Sequence, residues 1–163
     1  MPTRIVRFEG EERHLGHRPD DQVVGYNTIV TLLMSSSVAT AQILIIDDDE
    51  GVTQTFARML RLEGYQVRTA GNAESGLQVA AEIHPDAIIL DLRMPILDGL
   101  GFLRRLRSGT MQSTTPVAIV TGDYFLDDET SAELRQLGAQ LRFKPMWVED
   151  LVGLTRDLLG VTH

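Results

Sequence analysis

The stretch ILIIDDDE, residues 43–50, sets four apolar residues directly against four acidic ones. A short aliphatic run of this kind is typical of a strand that is buried on both faces. The carboxylates that follow repel one another, since two like charges ~4 Å apart cost roughly 4 kcal/mol at an effective dielectric constant near 20. The acidic run is therefore either a solvated turn and helix start, or part of a site for a hard divalent cation.

The composition bounds the class of protein. A chain of 163 residues is long enough for one domain with a sizeable core and an appendage. It contains no cysteine, which excludes disulfides, thiolate metal sites and thiol nucleophiles and is compatible with the cytosol. Because the net charge is −8, we expect no large nucleic-acid footprint. We expect the protein to be cytoplasmic, the location with which the absence of cysteine is compatible. Fourteen arginines contrast with a single lysine, Lys144.

The first 41 residues differ in composition from the rest of the chain. Residues 7–22 are polar and aperiodic, so we expect residues 1–41 to be a poorly ordered extension, or to include a leader that precedes a true start at Met34. The apolar segment that ends at residues 39–41 has the form of a signal-peptide cleavage site, but the acid-rich stretch before it is unlike a basic n-region. No stretch reaches the ~20 apolar residues of a membrane span, so we expect no membrane insertion. The predicted boundaries are an extension (1–41), a folded domain (42–160) and a tail (161–163).

From Ile43 onward, short apolar runs alternate with helical patterns. The predicted strands are 43–46, 65–70, 87–90, 117–120 and 139–143, and the predicted helices are 50–64, 73–84, 98–107, 127–138 and 147–159. Asn72 is placed to cap the second helix, and Gly64 and Gly138 to end the first and fourth. Such alternation predicts an α/β fold with a mostly parallel sheet covered on both faces, in strand order 2-1-3-4-5.

Polar residues follow four of the predicted strands. Asp47 and Asp48 follow the first, Asp91 the third, Thr121 the fourth and Lys144 the fifth. Strands one and three are neighbours at the point where the strand order reverses, so the two acidic groups converge there. Each residue alone has an ordinary explanation, as a turn, a strand end or a surface lysine. Together they supply carboxylates for Mg²⁺, a nucleophile for phosphorus, and a hydroxyl and an ammonium for phosphoryl oxygens.

Four motifs carry a family resemblance. ILIIDDDE, AIILDLRMPILDG, VAIVTGD and FKP, in this order and spacing, resemble the receiver domain of two-component response regulators over residues 42–160. The resemblance implies a flavodoxin-like (βα)₅ fold that takes a phosphoryl group from a histidine kinase or histidine phosphotransfer protein and thereby switches partner binding. It implies that Asp91 is the phosphoacceptor, Thr121 the switch hydroxyl and Lys144 the phosphate-binding lysine, followed by a cis bond to Pro145.

The resemblance also implies a metal ion, Mg²⁺ or alternatively Mn²⁺. Asp48 would be a direct ligand and Asp47 would act largely through water, with Asp91 and the carbonyl of Arg93 completing the protein's ligands. Asp49 is left with the role of beginning the next helix.

Four positions depart from the family's usual pattern, modulate the site or face a partner. Many members carry Tyr or Phe where this chain has Leu141, so we expect an apolar rotamer change in place of an aromatic readout. Arg93 and Asp123 flank the phosphoryl group in the family, and here they either pair across the mouth of the site and restrict the attacking water or remain two solvated charges. Trp147 is either an exposed anchor for a partner or a residue that packs at a helix start.

Only four residues follow Leu159, which predicts a stand-alone receiver. Its protein target would bind the fourth helix, fifth strand and fifth helix, and its chemistry would be limited to its own phosphorylation and dephosphorylation. Two alternatives stay open. One is a receiver-like interaction module that is not phosphorylated. The other is a haloacid-dehalogenase-like phosphatase with Asp47 as nucleophile, which leaves Asp91 without a role and needs Glu149–Asp150 on a strand.

Overall fold

Five strands and five helices alternate along the chain in a computed structural model that describes residues 40–110 and 112–161. The strands are β1 (Gln42–Ile46), β2 (Gln66–Ala70), β3 (Ala87–Leu90), β4 (Val117–Thr121) and β5 (Ala139–Phe143). The helices are α1 (Glu50–Leu62), α2 (Ala73–Ile83), α3 (Gly99–Ser108), α4 (Asp128–Gln136) and α5 (Val148–Leu158). Every predicted element is present, and none of these helices is long and apolar enough to cross a membrane. The predictions for the N-terminal extension and the tail fall almost entirely outside the described residues.

The strands form one parallel sheet in the predicted order, β2-β1-β3-β4-β5. Alternate residues of each central strand face opposite sides, so one apolar run serves two cores. In β1, Ile43 and Ile45 pack with α1 and α5, whereas Leu44 and Ile46 pack in the core that contains α2, α3 and α4. The largest fully buried side chain is that of Phe102 on α3, and its replacement by alanine would cost about 3–5 kcal/mol.

Short polar side chains begin four of the helices. Asp49, Asn72, Asp98 and Asp127 each accept a hydrogen bond from a backbone N–H three residues further on, which satisfies a donor that the first helical turn leaves free. The predicted roles of Asp49 and Asn72 are confirmed. Gly64 and Gly138 adopt positive φ angles of 91° and 75° immediately after α1 and α4, as predicted for helix-ending glycines.

The strand register aligns the polar residues at the carboxyl edge of the sheet. Ile46 pairs with Leu90, so the next residue of each strand, Asp47 and Asp91, emerges side by side. The N–H of Asp91 donates to the Ile46 carbonyl at 2.8 Å, and the N–H of Lys144 donates to the Thr121 carbonyl at 2.9 Å. The residues that follow β1, β3 and β5, together with the last residue of β4, therefore meet at one edge.

Candidate active site

Three aspartates form an acidic cluster at this edge. Asp47, Asp48 and Asp91 offer carboxylate oxygens that all lie within 4.8 Å of one another. Asp47 is 4% exposed and Asp91 6% exposed, whereas Asp48 is open to solvent. Hard divalent cations such as Mg²⁺ favour oxygen ligands of this kind, so the donor set fits the predicted ion. The expected convergence of the two acidic groups is confirmed.

The ammonium of Lys144 joins two of these carboxylates. Its Nζ donates to Asp47 Oδ2 at 2.6 Å and to Asp91 Oδ1 at 3.0 Å. Burial alone would lower the pKa of Lys144, but the hydrogen bonds to Asp47 and Asp91 outweigh it, and the pKa lies above its ordinary value. The lysine therefore stays protonated at neutral pH and offsets part of the negative charge.

The Asp91 carboxyl has a pKa above its usual range. Burial is the main cause, the hydrogen bond from Lys144 opposes it, and the nearby charge of Asp47 raises the pKa further. An ionised Asp91 is thus poorly hydrated in the folded protein. A cation bound by the acidic cluster would favour the ionised, nucleophilic form.

Thr121 ends β4 with a fully buried side chain. Its Oγ1 accepts a hydrogen bond from the N–H of Asp123 at 3.2 Å. A hydroxyl that acts as acceptor in one bond keeps its own proton to donate elsewhere. The side chain can therefore serve an additional oxygen at the edge of the sheet without losing its contact with the loop that follows.

Arg93 and Asp123, which lie two residues after Asp91 and Thr121, form an ion pair between the loops that follow β3 and β4. Arg93 Nε donates to Asp123 Oδ2 at 2.7 Å, and Nη2 donates to the same oxygen. The N–H of Phe125, and then Arg93, lower the pKa of Asp123. Of the two arrangements left open by the sequence, the structure has the pair.

Gly99 has a role that the sequence did not reveal. A Cβ atom at this position would lie 2.4 Å from the Asp91 carbonyl oxygen and 2.9 Å from the Leu92 Cα. The N–H of Gly99 donates to the Leu92 carbonyl at 2.8 Å. Only glycine therefore lets α3 begin directly behind Asp91. The sequence predicted a helix start at Asp98. It contains no pattern that would reveal the close approach of Gly99 to the backbone of Asp91.

Two aromatic rings, for which the sequence predicted no role, lie beside the backbone of Lys144. Tyr124 and Phe143 stack with ring centroids 5.2 Å apart and planes 14° apart. The hydroxyl of Tyr124 donates to the carbonyl oxygen of Lys144. The Lys144–Pro145 bond is cis, as predicted. The available signal was that Tyr124 directly follows the motif VAIVTGD and that Phe143 begins the motif FKP.

The two predicted switch or partner positions have different environments. Leu141 is half-buried and packs against the core that contains α2, α3 and α4, opposite Ile119 in the β4–β5 register. Trp147 precedes α5 with 73% of its surface exposed. The exposure of Trp147 favours the anchor over the packing interpretation, while the environment of Leu141 is compatible with an apolar rotamer change.

Proteins of known sequence resemble this chain. The response regulator receiver domain family matches residues 43–154. The transcriptional regulatory protein PrrA of Mycobacterium leprae (strain TN) is 35% identical over 126 residues, which cover 77% of this chain and 53% of PrrA. The regulatory protein AtoC of Escherichia coli (strain K12) is 33% identical over 114 residues, 69% of this chain and 24% of AtoC. The chain thus spans about half the length of PrrA, and less of AtoC.

The solved structures that resemble this chain also include response regulators. Chemotaxis protein CheY4 of Vibrio cholerae superimposes with a TM-score of 0.68 at 28% identity, covering 74% of this chain and 99% of CheY4. A putative response regulator from Chloroflexus aurantiacus gives a TM-score of 0.67 at 30% identity, with 74% and 98% covered. The family match contains all the predicted site residues from Asp47 to Trp147. This chain belongs to the response regulator receiver domain family of two-component systems.

Proposed function

We propose that Asp91 accepts a phosphoryl group from a phosphohistidine of a histidine kinase or a histidine phosphotransfer protein. The observation that carries the proposal is the position of the Lys144 ammonium, which bonds to both Asp47 and Asp91 while Asp48 faces solvent beside them. This arrangement brings a nucleophilic carboxylate, a phosphate-binding cation and an acidic metal site together. A structural ion pair alone would not require the third, exposed acid.

The transfer forms one bond and breaks one. An Asp91 carboxylate oxygen bonds to phosphorus as the phosphorus–nitrogen bond to the donor imidazole breaks, and the imidazole nitrogen keeps the electron pair and takes up a proton. Lys144 then exchanges its bond to Asp91 for a phosphoryl oxygen, and the Thr121 hydroxyl donates a hydrogen bond to another phosphoryl oxygen. Dephosphorylation is the attack of water on the same phosphorus, with Asp91 as the leaving group.

The site is suited to Mg²⁺, which receivers generally bind through acidic residues, and Mn²⁺ is the expected substitute. A bound ion would neutralise charge on the phosphoryl oxygens. Asp47 already accepts hydrogen bonds from Lys144 Nζ and from the Asp49 N–H at 2.8 Å, whereas Asp48 is exposed. This difference supports Asp48 as the direct ligand and Asp47 as a ligand through water, with Asp91 and the Arg93 carbonyl as the remaining donors.

The output is a change in protein binding at the surface formed by α4, β5 and α5. Phe143 and Trp147 are exposed on or next to this surface, 40% and 73% respectively, and apolar anchors of this kind dominate binding energy at interfaces. Phosphorylation of Asp91 would bias a pre-existing two-state equilibrium through the new partners of Thr121 and Lys144. The net charge of −8 supports a protein target over direct nucleic-acid contact by this domain.

Intact mass spectrometry tests the proposal. The protein is incubated with Mg²⁺ and acetyl phosphate, and one acid-stable, base-labile phosphoryl adduct is expected that disappears in Asp91→Asn and when Mg²⁺ is chelated. Asp49→Asn is the matched control, since asparagine caps helices as well as aspartate does and this acid lies outside the proposed reaction.

The two alternatives give different results in the same experiment. Formation of an adduct that Asp47→Asn abolishes and Asp91→Asn retains would favour the phosphatase. Absence of an adduct from all variants and from the wild type, with the fold intact, would favour an interaction module that works without phosphorylation.

A further inference from the structure

The loop between β4 and α4, residues 122–127, is tied to the site at three points. The N–H of Asp123 donates to the Thr121 hydroxyl, and the Asp123 carboxylate pairs with Arg93. The third contact is that of Tyr124 with the end of β5, and nothing in the proposed phosphorylation chemistry accounts for it.

The contact between Tyr124 and the end of β5 lies outside the hydrophobic core. The Tyr124 side chain is 59% exposed and the Phe143 ring that it stacks on is 40% exposed. Stacked aromatic pairs contribute beyond the area they bury, and a tyrosine hydroxyl adds a directional bond, here to the Lys144 carbonyl. A half-exposed residue with two specific contacts to one short segment fixes the position of that segment.

The segment in question is held weakly by the sheet. β5 is the edge strand, so its carboxyl end is paired on one side only, by the bond from the Lys144 N–H to the Thr121 carbonyl. Beyond the last backbone bond, the long lysine side chain reaches Asp47 and Asp91 through four rotatable bonds, so a small shift of its backbone moves the ammonium. Tyr124 supplies the second backbone contact, on the carbonyl side of the same residue.

We propose that Tyr124 is a positioning residue for phosphoryl transfer, fixing the Lys144 backbone through its carbonyl and through the stack on Phe143. The inference rests on the proposed function, because it takes the Lys144 ammonium as the group that binds the phosphoryl oxygens. The hydrogen bond and the ring stack of Tyr124 are to Lys144 and Phe143 and not to the acidic cluster, so its main effect is expected at the lysine.

Variants of Tyr124 separate the two contacts. Tyr124→Phe keeps the ring and loses the hydroxyl, and we expect acetyl phosphate to phosphorylate it about three- to tenfold more slowly than wild type, the usual worth of one hydrogen bond. Tyr124→Leu also loses the stack and is expected to be slower than Tyr124→Phe. Mg²⁺ affinity is expected to stay at the wild-type value in both, which distinguishes an effect on Lys144 from damage to the acidic cluster.

A spectroscopic measurement reports the lysine directly. Lys144 is the single lysine of the chain, so ¹³C,¹⁵N-lysine labelling of the full-length protein gives one side-chain ammonium and one Cε resonance. Tyr124→Phe is expected to shift both and to speed the exchange of the ammonium protons with water. Phe125→Leu is the matched control, because this neighbouring ring is 95% exposed and is expected to leave the lysine signals and the phosphorylation rate unchanged.

The outcomes are distinguishable. Wild-type lysine signals and wild-type rates in folded Tyr124→Phe and Tyr124→Leu would overturn the inference, as would equal changes in Phe125→Leu. If the wild type itself takes no phosphoryl group from acetyl phosphate, the proposed function fails. In that case the lysine resonances still decide whether Tyr124 positions Lys144.

Discussion

Two half-buried cations stand at opposite edges of the sheet. At the carboxyl edge, Lys144 bonds to the carboxylates of Asp47 and Asp91. At the amino edge, the guanidinium of Arg107 on α3 donates to three backbone carbonyls. These are Leu137 at 2.8 Å, Thr115 at 2.8 Å and Ser113 at 3.1 Å, from the segments that lead into β5 and β4.

The partners decide what each cation can do. Burial lowers the pKa of Arg107, whereas the two carboxylates hold the pKa of Lys144 above its ordinary value in spite of burial. The backbone carbonyls that Arg107 binds are neutral, and no ligand takes their place. Arg107 therefore fixes the segments before β4 and β5 to α3. Carboxylate oxygens can be exchanged for phosphoryl oxygens of like charge, so Lys144 can change partners. Arg107 is therefore a structural cation, whereas Lys144 is the cation that we propose to bind phosphoryl oxygens.

The largest expected effect comes from Lys144→Met. Removal of the cation that stabilises phosphoryl oxygens should slow phosphorylation of Asp91 by acetyl phosphate about 10²–10³-fold, as for the loss of one preorganised donor at a developing negative charge. Lys144→Arg keeps the charge but presents a planar fork in place of a compact ammonium and should recover only part of the rate. The rate of adduct formation at saturating Mg²⁺ measures this. A loss of less than about tenfold for Lys144→Met would contradict the proposed role of Lys144 in binding phosphoryl oxygens.

Arg107→Met tests the structural side. Three carbonyls lose a charged donor, and because solvent reaches this half-buried site in part, we expect a loss of about 2–4 kcal/mol in the free energy of unfolding. Urea unfolding measures it. Arg105→Met on the same helix is the matched control, because its exposed pair with Glu74 at 3.7 Å is worth at most about 1 kcal/mol. Phosphorylation of the folded fraction should be unchanged, and a slower reaction would show that Arg107 also serves the site.

The location of the Lys144 side chain beside the acidic residues could be predicted from the sequence, whereas the partners of Arg107 could not. A strand-ending position fixes the edge of the sheet at which a side chain emerges, so Asp47, Asp91 and Lys144 were expected to meet. The roles of Asp49 and the other caps follow from local rules over three residues. Arg107 instead depends on carbonyls that come together only when two distant segments pack beside α3.

The sequence left the pairing of Arg93 with Asp123 undecided and did not predict the contacts of Gly99 and Tyr124, for related reasons. Exposed ion pairs such as Arg93–Asp123 are worth little, so residue types alone do not decide whether they form. The need for Gly99 arises from its approach to the backbone of Asp91, a tertiary contact without a periodic signal. The contact of Tyr124 with Lys144 likewise depends on the exact course of a loop.

A smaller effect is expected from the charge of Asp91 in the metal-free protein. Its pKa is raised above 3.8 on folding, so the folded state binds this proton more tightly than the unfolded state does. The resulting stabilisation is fully present below the unfolded pKa and is lost as pH rises through the folded pKa. Asp91→Asn should therefore raise the free energy of unfolding at pH 7 and not below pH 3.8, as measured by urea unfolding in EDTA. Destabilisation at pH 7 would show that attraction to Lys144 outweighs burial.

The smallest effect concerns a third kind of cation, the exposed one. Arg93 pairs with Asp123 between the loops that follow β3 and β4, and we predict that this pair restricts the water that attacks phosphorus. An exposed pair is worth at most about 1 kcal/mol, so Arg93→Ala should speed dephosphorylation by only about two- to fivefold, and added salt should narrow the difference. Arg104→Ala breaks a similar exposed pair with Glu133, between α3 and α4, and should leave the decay unchanged. Decay of the phosphorylated protein is followed by intact mass after removal of the donor. Equal or faster decay in wild type would mean that the pair does not hinder the attacking water.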